Sequence, residues 1–142
     1  MNRKKPLYEH SVKLKIPFHD TDCMQVVWHG HYLKYFEIAR DELFSQAGID
    51  LHLFFHKSQY LFPIIRSTIK YISPLHMRDE IICTAQVRDA KRKIVIDFSI
   101  KRLSDSLVCA IGTTEQVAVP FSGIGMELEI PLEIQQALVY KK

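Results

Sequence analysis

The chain has 142 residues, of which 47% are hydrophobic and 25% are charged, and its formal net charge at pH 7 is +3. This size and composition are typical of a soluble globular protein with a single hydrophobic core, and we expect residues 1–142 to form one domain. The weak positive charge occurs in small basic groups and not in one concentrated stripe, which argues against a nucleic-acid-binding protein.

The first predicted element is a half-buried strand that starts at His10, after an irregular tail of residues 1–9. Pro17 has no backbone N–H group to donate, so the strand should lie at the edge of a sheet or end there. Four apolar side chains alternate with polar ones along the strand and should share one face. They are Val12, Leu14, Ile16 and Phe18.

The second predicted element is a helix of residues 31–47, with Gly48 as its natural stop. Its length corresponds to about four or five turns at 3.6 residues per turn. Apolar side chains recur at the spacing that forms one stripe along a helix, so this should be a core helix. The stripe consists of Tyr32, Tyr35, Phe36, Ala39, Leu43 and Ala47.

The second half of the chain predicts four more strands, after a short helix or loop at residues 49–59. The strands cover residues 61–72, 80–88, 93–103 and 107–119, and a last short helix covers residues 132–139. In the last strand, alternation predicts one face made of Leu107, Cys109, Ile111 and Val117. Short connections at residues 89–92 and 104–105 are typical of hairpins, which predicts an antiparallel sheet.

One long helix between the first strand and a meander of four others is an α+β arrangement, with the helix on one face of the sheet. Pro120, Gly123 and Gly125 should close the strand region, and Pro131 should open the last helix.

The residues that can do chemistry lie between the first strand and the long helix. The sequence reads HDTDC at residues 19–23, VVW at residues 26–28 and HGH at residues 29–31. A helix N-terminus has unpaired N–H groups and a partial positive charge, which suit it to stabilise an oxyanion. Gly30 would let a substrate carbonyl approach the backbone closely. A loop carboxylate could then act as a nucleophile or as a general base for water, so the segment favours acyl chemistry.

The same segment resembles a known family of enzymes. The sequences DTD at residues 20–22, VVWH at residues 26–29, YLKYFE at residues 32–37 and AR at residues 39–40 are similar to the pattern of the hot-dog-fold acyl-CoA thioesterases. The similarity is to the 4-hydroxybenzoyl-CoA thioesterase group and, within it, to the YbgC-type enzymes. It implies a curved antiparallel sheet wrapped around one long central helix. It also implies a homodimer with active sites at the subunit interface, often paired into a homotetramer.

The resemblance implies roles for three residues, and two more belong to the predicted site. Asp22 matches the catalytic carboxylate, and His29 matches the residue whose backbone N–H group polarises the thioester carbonyl. The imidazole of His29 also matches the histidine of the YbgC-type enzymes. Glu37 matches an acidic residue that contacts the acyl group, and Gly30 and Trp28 complete the predicted substrate-binding set.

The chain departs from the family pattern at two places. Phe18 stands where a tyrosine is common, so a phenolic hydroxyl group is missing. The pair Met24-Gln25 stands where small residues, often two glycines, are usual. The second departure would narrow or reshape the substrate pocket.

The predicted reaction is hydrolysis of an acyl-CoA thioester to the free acid and CoA, with no metal and no cofactor other than the CoA of the substrate. Three alternatives remain open. They are a non-catalytic acyl-binding or scaffold protein on the same fold, a thioesterase that acts on acyl carrier protein, and a metal-dependent hydrolase. The metal alternative rests on His19 and His31 beside the two aspartates.

Other interpretations apply to single residues. Asp20 is expected to be structural, with its carboxylate bound to amides of its own loop. Glu37 could be a solvated partner of Arg40 or Lys34 at helical spacing. The basic residues 91–93 could meet the phosphates of CoA or form an ordinary charged turn.

Cysteine use and hydropathy point to the cytoplasm. The three cysteines, Cys23, Cys83 and Cys109, have no CxxC spacing and cannot all pair within one chain. No stretch approaches the roughly 18 apolar residues that a membrane span needs, and no apolar segment follows the basic residues near the N-terminus. We therefore expect a cytoplasmic protein that does not associate with a membrane.

Overall fold

A computed structural model describes residues 4–122, 125 and 127–139. The helices are α1 (His31–Gln46), α2 (Leu51–Ser58) and α3 (Leu132–Ala137), and a short 3₁₀ helix covers Phe18–Asp20. The strands are β1 (Tyr8–Lys15), β2 (Tyr60–Leu61), β3 (Ile64–Tyr71), β4 (Glu80–Asp89), β5 (Ile94–Arg102), β6 (Val108–Gln116) and β7 (Val119–Pro120). The predicted long helix, the first strand and the four later strands are all present.

Five antiparallel strands form the main sheet, in the order β1-β4-β5-β6-β3, and β2 pairs with β7 in a second, smaller sheet. The predicted antiparallel sheet is confirmed. The predicted meander of four strands is wrong in one respect, because β3 pairs with β6 and not with the next strand in the chain. As a result, β1 and β3 are the two edges of the sheet.

Helix α1 lies across the inner face of this sheet and contacts all five strands. Phe36 stacks on Phe98 of β5 with ring centroids 4.6 Å apart, and it packs over Gly112 of β6, where a Cβ atom would overlap its ring. All of the side chains of β4 and β5 that face α1 are buried. They are Ile81, Cys83, Ala85, Val87, Ile94, Ile96, Phe98 and Ile100. A sheet that wraps one long central helix confirms the α+β, hot-dog prediction.

The predicted apolar faces of β1 and β6 each need a correction. In β6 the prediction is wrong, since Ile111 is exposed and small or polar side chains at 110, 112, 114 and 116 face α1. These side chains leave room for the large Phe36 and Arg40 of the helix. Phe18 does not continue the buried face of β1, because the strand ends at Lys15 and the 3₁₀ helix leaves Phe18 exposed.

The remaining element boundaries differ from the prediction by a few residues. β1 lies at an edge and ends before Pro17, as expected. Residues 138 and 139 are not part of α3, and Gly123 lies outside the described residues. In the part of the chain that the structure describes, no helix combines the length and the apolar character needed to cross a membrane.

Candidate active site

Residues 20–28 fold into a narrow two-stranded ribbon that leads from β1 into α1. The N–H group of Asp22 donates to the carbonyl of Val26 at 2.9 Å, and the N–H group of Trp28 donates to the carbonyl of Asp20 at 3.0 Å. Gln25 turns the chain at the tip with a φ of 67°. The ribbon therefore holds Asp22 on one strand and delivers the other strand to His29, at the entrance of α1.

The carboxylate of Asp22 is half-buried and only partly engaged. Its Oδ1 atom accepts a hydrogen bond from the N–H group of Met24 at 2.8 Å, the local bond that aspartate often makes in a turn. Its Oδ2 atom accepts no hydrogen bond from the described residues. One oxygen therefore fixes the carboxylate on the ribbon and the other is available to a substrate or a water molecule.

The entrance of α1 has unsatisfied backbone donors. Gly30 is the N-cap residue and no side chain caps this helix end. Within residues 4–122, 125 and 127–139, no acceptor binds the N–H groups of His29 and Gly30. Such free donors, together with the partial positive charge of a helix N-terminus, can stabilise negative charge on a nearby oxygen.

Position 30 is crowded by a side chain of its own segment, which the sequence does not reveal. The indole ring of Trp28 lies against the Cα atom of Gly30, in the space that a Cβ atom would occupy. The same ring contacts the imidazoles of His29 and His31, with centroids 5.0 and 5.4 Å away. Trp28, His29 and Gly30 are thus brought together at the helix entrance.

A cavity of about 330 Å³ opens beside His29, between the ribbon, α1 and the end of β3. Its lining is mainly apolar and aromatic and consists of Val26, Val27, His29, Tyr32, Tyr71, Ile72, Ser73 and Pro74. The hydroxyl group of Tyr71 donates to the carbonyl of His29 at 2.9 Å, which fixes the peptide that carries the N–H group of Gly30. Tyr71 was not among the residues that the sequence pointed to, because its hydroxyl group reaches the site from a distant strand.

Glu37 lies about two turns into α1 and is turned towards Arg40. Its exposed carboxylate forms an ion pair with the guanidinium group of Arg40, which is itself buried. Arg40 also donates to Thr114 at 2.7 Å and packs on the ring of Phe98. The expectation that Glu37 pairs with Arg40 or Lys34 is met by Arg40, whereas Lys34 binds Asp20.

Asp20 is almost completely buried, with 1% of its side chain exposed. The prediction that loop amides bind its carboxylate is wrong. Lys34 donates to Oδ1 at 2.6 Å and Tyr35 donates to Oδ2 at 2.6 Å, both from the first turns of α1. Burial favours the neutral acid, but the hydrogen bonds from Lys34 and Tyr35 outweigh it and lower the pKa of Asp20. Burial, and then the bond to Asp20, raise the pKa of Tyr35.

The structure also places the residues of the metal alternative. His19 and His31 lie 3.8 and 3.9 Å from Oδ1 of Asp20, but no group of three or more His, Cys, Asp or Glu side chains among the described residues could hold a metal ion.

The basic residues 91–93 precede Ile94, which pairs with Gln116. They therefore lie at the end of the sheet opposite to Tyr71 and the helix entrance of the same chain.

Comparison with known proteins gives a consistent result. The model of the thioesterase-like superfamily matches residues 16–138. A 1,4-dihydroxy-2-naphthoyl-CoA hydrolase of Rippkaea orientalis is 30% identical over 115 residues, which cover 79% of this chain and 80% of that protein. The acyl-CoA thioesterase YbgC of Haemophilus influenzae is 23% identical over 132 residues, which cover 93% of this chain and 96% of that protein.

A solved structure shows the same fold. The 4-hydroxybenzoyl-CoA thioesterase of Pseudomonas sp. strain CBS-3 matches with a TM-score of 0.83 at 15% sequence identity. The match covers 92% of this chain and 99% of that chain.

Proposed function

The chain belongs to the thioesterase-like superfamily, and on that basis we propose that it is an enzyme that hydrolyses an acyl-CoA thioester to the free acid and CoA. One observation carries this proposal. The ribbon presents a half-free carboxylate, Asp22, and leads directly into a helix entrance whose N–H groups have no acceptor in the described residues. These are the two components that acyl transfer to water needs.

In the proposed mechanism, the thioester carbonyl lies over the N–H groups of His29 and Gly30. Asp22 attacks the carbonyl carbon as a nucleophile, or removes a proton from a water molecule that attacks it. The helix entrance stabilises the negative charge that develops on the carbonyl oxygen. The C–S bond then breaks and CoA leaves as a thiolate. When Asp22 acts as the general base, the proton that it took from water passes to the sulfur and the free acid is released directly. When Asp22 acts as the nucleophile, the thiolate takes a proton from solvent, and water then hydrolyses the anhydride between Asp22 and the acyl group to give the free acid. No metal and no cofactor other than the CoA of the substrate takes part in this scheme.

The cavity beside His29 supports an aromatic acyl group as the preferred substrate. Tyr32 and Tyr71 meet edge to face in its wall, with ring centroids 4.9 Å apart. Such a wall suits a flat ring, because aromatic pairs gain from this geometry beyond the area they bury. Glu37, held by Arg40, and Trp28 complete the proposed substrate contacts. Two of the relatives are named for aromatic acyl groups.

We also propose that two copies pair through β3, and that two such dimers form a homotetramer. β3 is an edge strand, and no strand of the described residues pairs with its outer edge. Apolar side chains in and beside it are exposed, including Ile64, Ile65, Tyr71 and Ile72. Exposed apolar edge strands are templates for pairing with another chain. Because Tyr71 binds His29, this pairing would bring the helix entrance to the subunit interface.

The proposed pairing of two copies through β3 is tested by Ile65→Lys, with Leu53→Lys as its matched control. Both residues are exposed and apolar, with 52% and 63% of their surface accessible, but Leu53 lies on α2. Light scattering after size-exclusion chromatography should show dissociation of the Ile65 variant only. Retention of the wild-type mass by the Ile65 variant would reject β3 as the interface.

The localisation proposed is the cytoplasm. All three cysteines are free in the structure, two of them buried, as is usual in a reducing compartment.

The central experiment measures release of the CoA thiol from aromatic, short aliphatic and long aliphatic acyl-CoAs by the wild type and by Asp22→Asn. We expect turnover of at least one aromatic thioester and a roughly 10²- to 10⁴-fold lower kcat in the variant. Circular dichroism shows whether the variant is folded. Full activity in a folded Asp22→Asn would reject Asp22 as the catalytic group.

If the wild type is inactive on every acyl-CoA, the same panel on acyl carrier protein follows. Activity on acyl carrier protein alone would mean that the reaction is thioester hydrolysis but that the carrier is this protein and not CoA. Inactivity on both carriers would favour an acyl-binding or scaffold protein.

A further inference from the structure

We infer that Asp20 is a positioning residue, which fastens the 20–28 ribbon to α1 and so sets the place of Asp22 relative to the N–H groups of His29 and Gly30. This inference rests on the proposed function. It concerns a residue that takes no part in the mechanism above, because its carboxylate is buried and bound on both oxygens.

The first support is the set of groups around the carboxylate. Lys34 and Tyr35 each donate at 2.6 Å, one to each oxygen, and His31 lies 3.9 Å away. All three residues belong to the first two turns of α1. The carboxylate therefore connects the ribbon to the start of the helix through short hydrogen bonds of defined direction.

The second support is the backbone of Asp20. Its carbonyl accepts the N–H group of Trp28, while Asp22 bonds Val26 two positions further along the ribbon. Asp20 therefore contacts both strands of the ribbon and the helix at once. A shift at this residue would move the strand that holds Asp22 and the strand that leads to His29.

The third support is the energetic cost of the arrangement. The carboxylate of Asp20 loses its hydration, since 1% of its side chain is exposed, whereas 44% of the Lys34 side chain stays exposed. Removal of a charge from water carries a cost that its ion pair only partly offsets, so such a pair is often no more stabilising than an apolar contact of the same volume. Stability alone does not explain a carboxylate and an ammonium group at this place. Fixed geometry does, because a displacement of about 1 Å at a catalytic group can lower a rate by about 10²-fold.

The chain provides a matched control on the opposite face of the sheet. Asp97 of β5 accepts a hydrogen bond from Arg88 at 3.0 Å and another from Thr113 at 2.7 Å. Like Asp20, it is bound by one cationic side chain and one hydroxyl group. It lies on the outer face, so its loss should affect stability without touching the ribbon.

The ribbon also contains its own probe. Trp28 is the single tryptophan of the chain, it ends the ribbon and it is partly exposed. Its fluorescence therefore reports on the ribbon whether or not the enzyme turns over a given substrate.

The experiment compares Asp20→Asn, Tyr35→Phe and Asp97→Asn with the wild type. The measurements are kcat and KM on the best acyl-CoA, quenching of Trp28 by acrylamide, and Tm. For Asp20→Asn we expect kcat to fall roughly 10- to 100-fold. We expect KM to change by less than about threefold, since the substrate contacts remain.

Trp28 should become easier to quench in Asp20→Asn, and to a smaller extent in Tyr35→Phe, which keeps the carboxylate and Lys34. Asp97→Asn should lower Tm and leave kcat and quenching at wild-type values. If Asp20→Asn does not fold, Tyr35→Phe carries the test alone.

Two outcomes would overturn the inference. In the first, quenching of Trp28 in the folded Asp20 or Tyr35 variant equals that of the wild type. In the second, kcat falls no further than in Asp97→Asn. An inactive wild type would instead reject the proposed function, and the quenching result would still decide whether Asp20 holds the ribbon.

Discussion

The two ends of α1 are built in opposite ways. At the N-terminal end, no side chain caps the helix, the N–H groups of His29 and Gly30 have no acceptor in the described residues, and the carboxylate of Asp20 is buried against Lys34 and Tyr35. At the C-terminal end, the N–H group of Ile49 donates to the carbonyl of Phe44 at 2.8 Å. Gly48 has a φ of +81° there, so the last turn closes in a Schellman motif.

This difference separates function from stability along a single helix. Satisfied carbonyls and buried side chains such as Leu43 stabilise the C-terminal end. The N-terminal end leaves donors unsatisfied, which costs stability and provides a place for a developing negative charge. Changes at one end should therefore alter the rate, and changes at the other should alter the free energy of unfolding.

The largest effect on stability is expected from Leu43→Ala. Leu43 is completely buried between α1 and the sheet, and truncation of such a side chain costs about 2–5 kcal/mol. Urea unfolding measures the loss, and kcat at low temperature should stay near the wild-type value. A large fall in kcat in the folded variant would show that the two ends are coupled.

Gly30→Ala should have the next largest effect, and on the rate. The new methyl group would overlap the ring of Trp28, which must then move away from the helix entrance. Displacement of this kind should lower kcat by up to about 10²-fold. Steady-state kinetics with a folded variant decides the question, and an unchanged kcat would place the oxyanion site elsewhere.

Gly48→Ala should lower the free energy of unfolding by about 1–2 kcal/mol, the cost of a left-handed conformation for a residue with a Cβ atom. Among the described residues, no atom beyond the two chain neighbours lies within 4 Å of the added methyl group, so we attribute the loss to strain in the backbone. Kinetics should not change. Wild-type stability would contradict the assigned role of the C-terminal turn.

The smallest effect is a change in the dependence of stability on pH. The pKa of Asp20 is lowered in the folded state, so its stabilisation is complete above its unfolded pKa of about 4. It is lost as the pH falls below that value and through the folded pKa. The difference in unfolding free energy between the wild type and Asp20→Asn should therefore be larger above about pH 5 than below about pH 4.

Gly48→Ala is the control for this titration, because it changes no ionisable group. Its difference from the wild type should be the same at every pH. A pH-independent difference for Asp20→Asn as well would contradict a charged Asp20 in the folded protein.

The sequence predicted those features that depend on local pattern. The long helix and the strands follow from periodicity, and the buried stripe of α1 is present from Tyr32 to Leu43. The pairing of β3 with β6 was not predictable from hairpin lengths, since it joins strands that two others separate in the chain. The inner face of β6 was misassigned because large helix side chains, and not the strand's own alternation, decide what fits there.

For the candidate site, too, the sequence indicated only what local pattern carries. Asp22, His29 and Gly30 lie on one continuous segment, so they could be named together without any knowledge of the sheet. The partners of Asp20 could have been found from helical spacing, since residues 31, 34 and 35 share one face of α1. No local signal links Tyr71 to the carbonyl of His29, because that bond crosses from the edge of the sheet.

The strand order also determines when the protein can fold during its synthesis. β1 pairs with β4 and β3 pairs with β6, whereas β4, β5 and β6 join neighbours by short hairpins. Pairings between distant segments form slowly, because a long loop must close first. While the ribosome is still making β4, the residues that form the active site therefore have no sheet to pack on. Chains that stop before β6 should be substrates for chaperones and proteases, and not partially active enzymes.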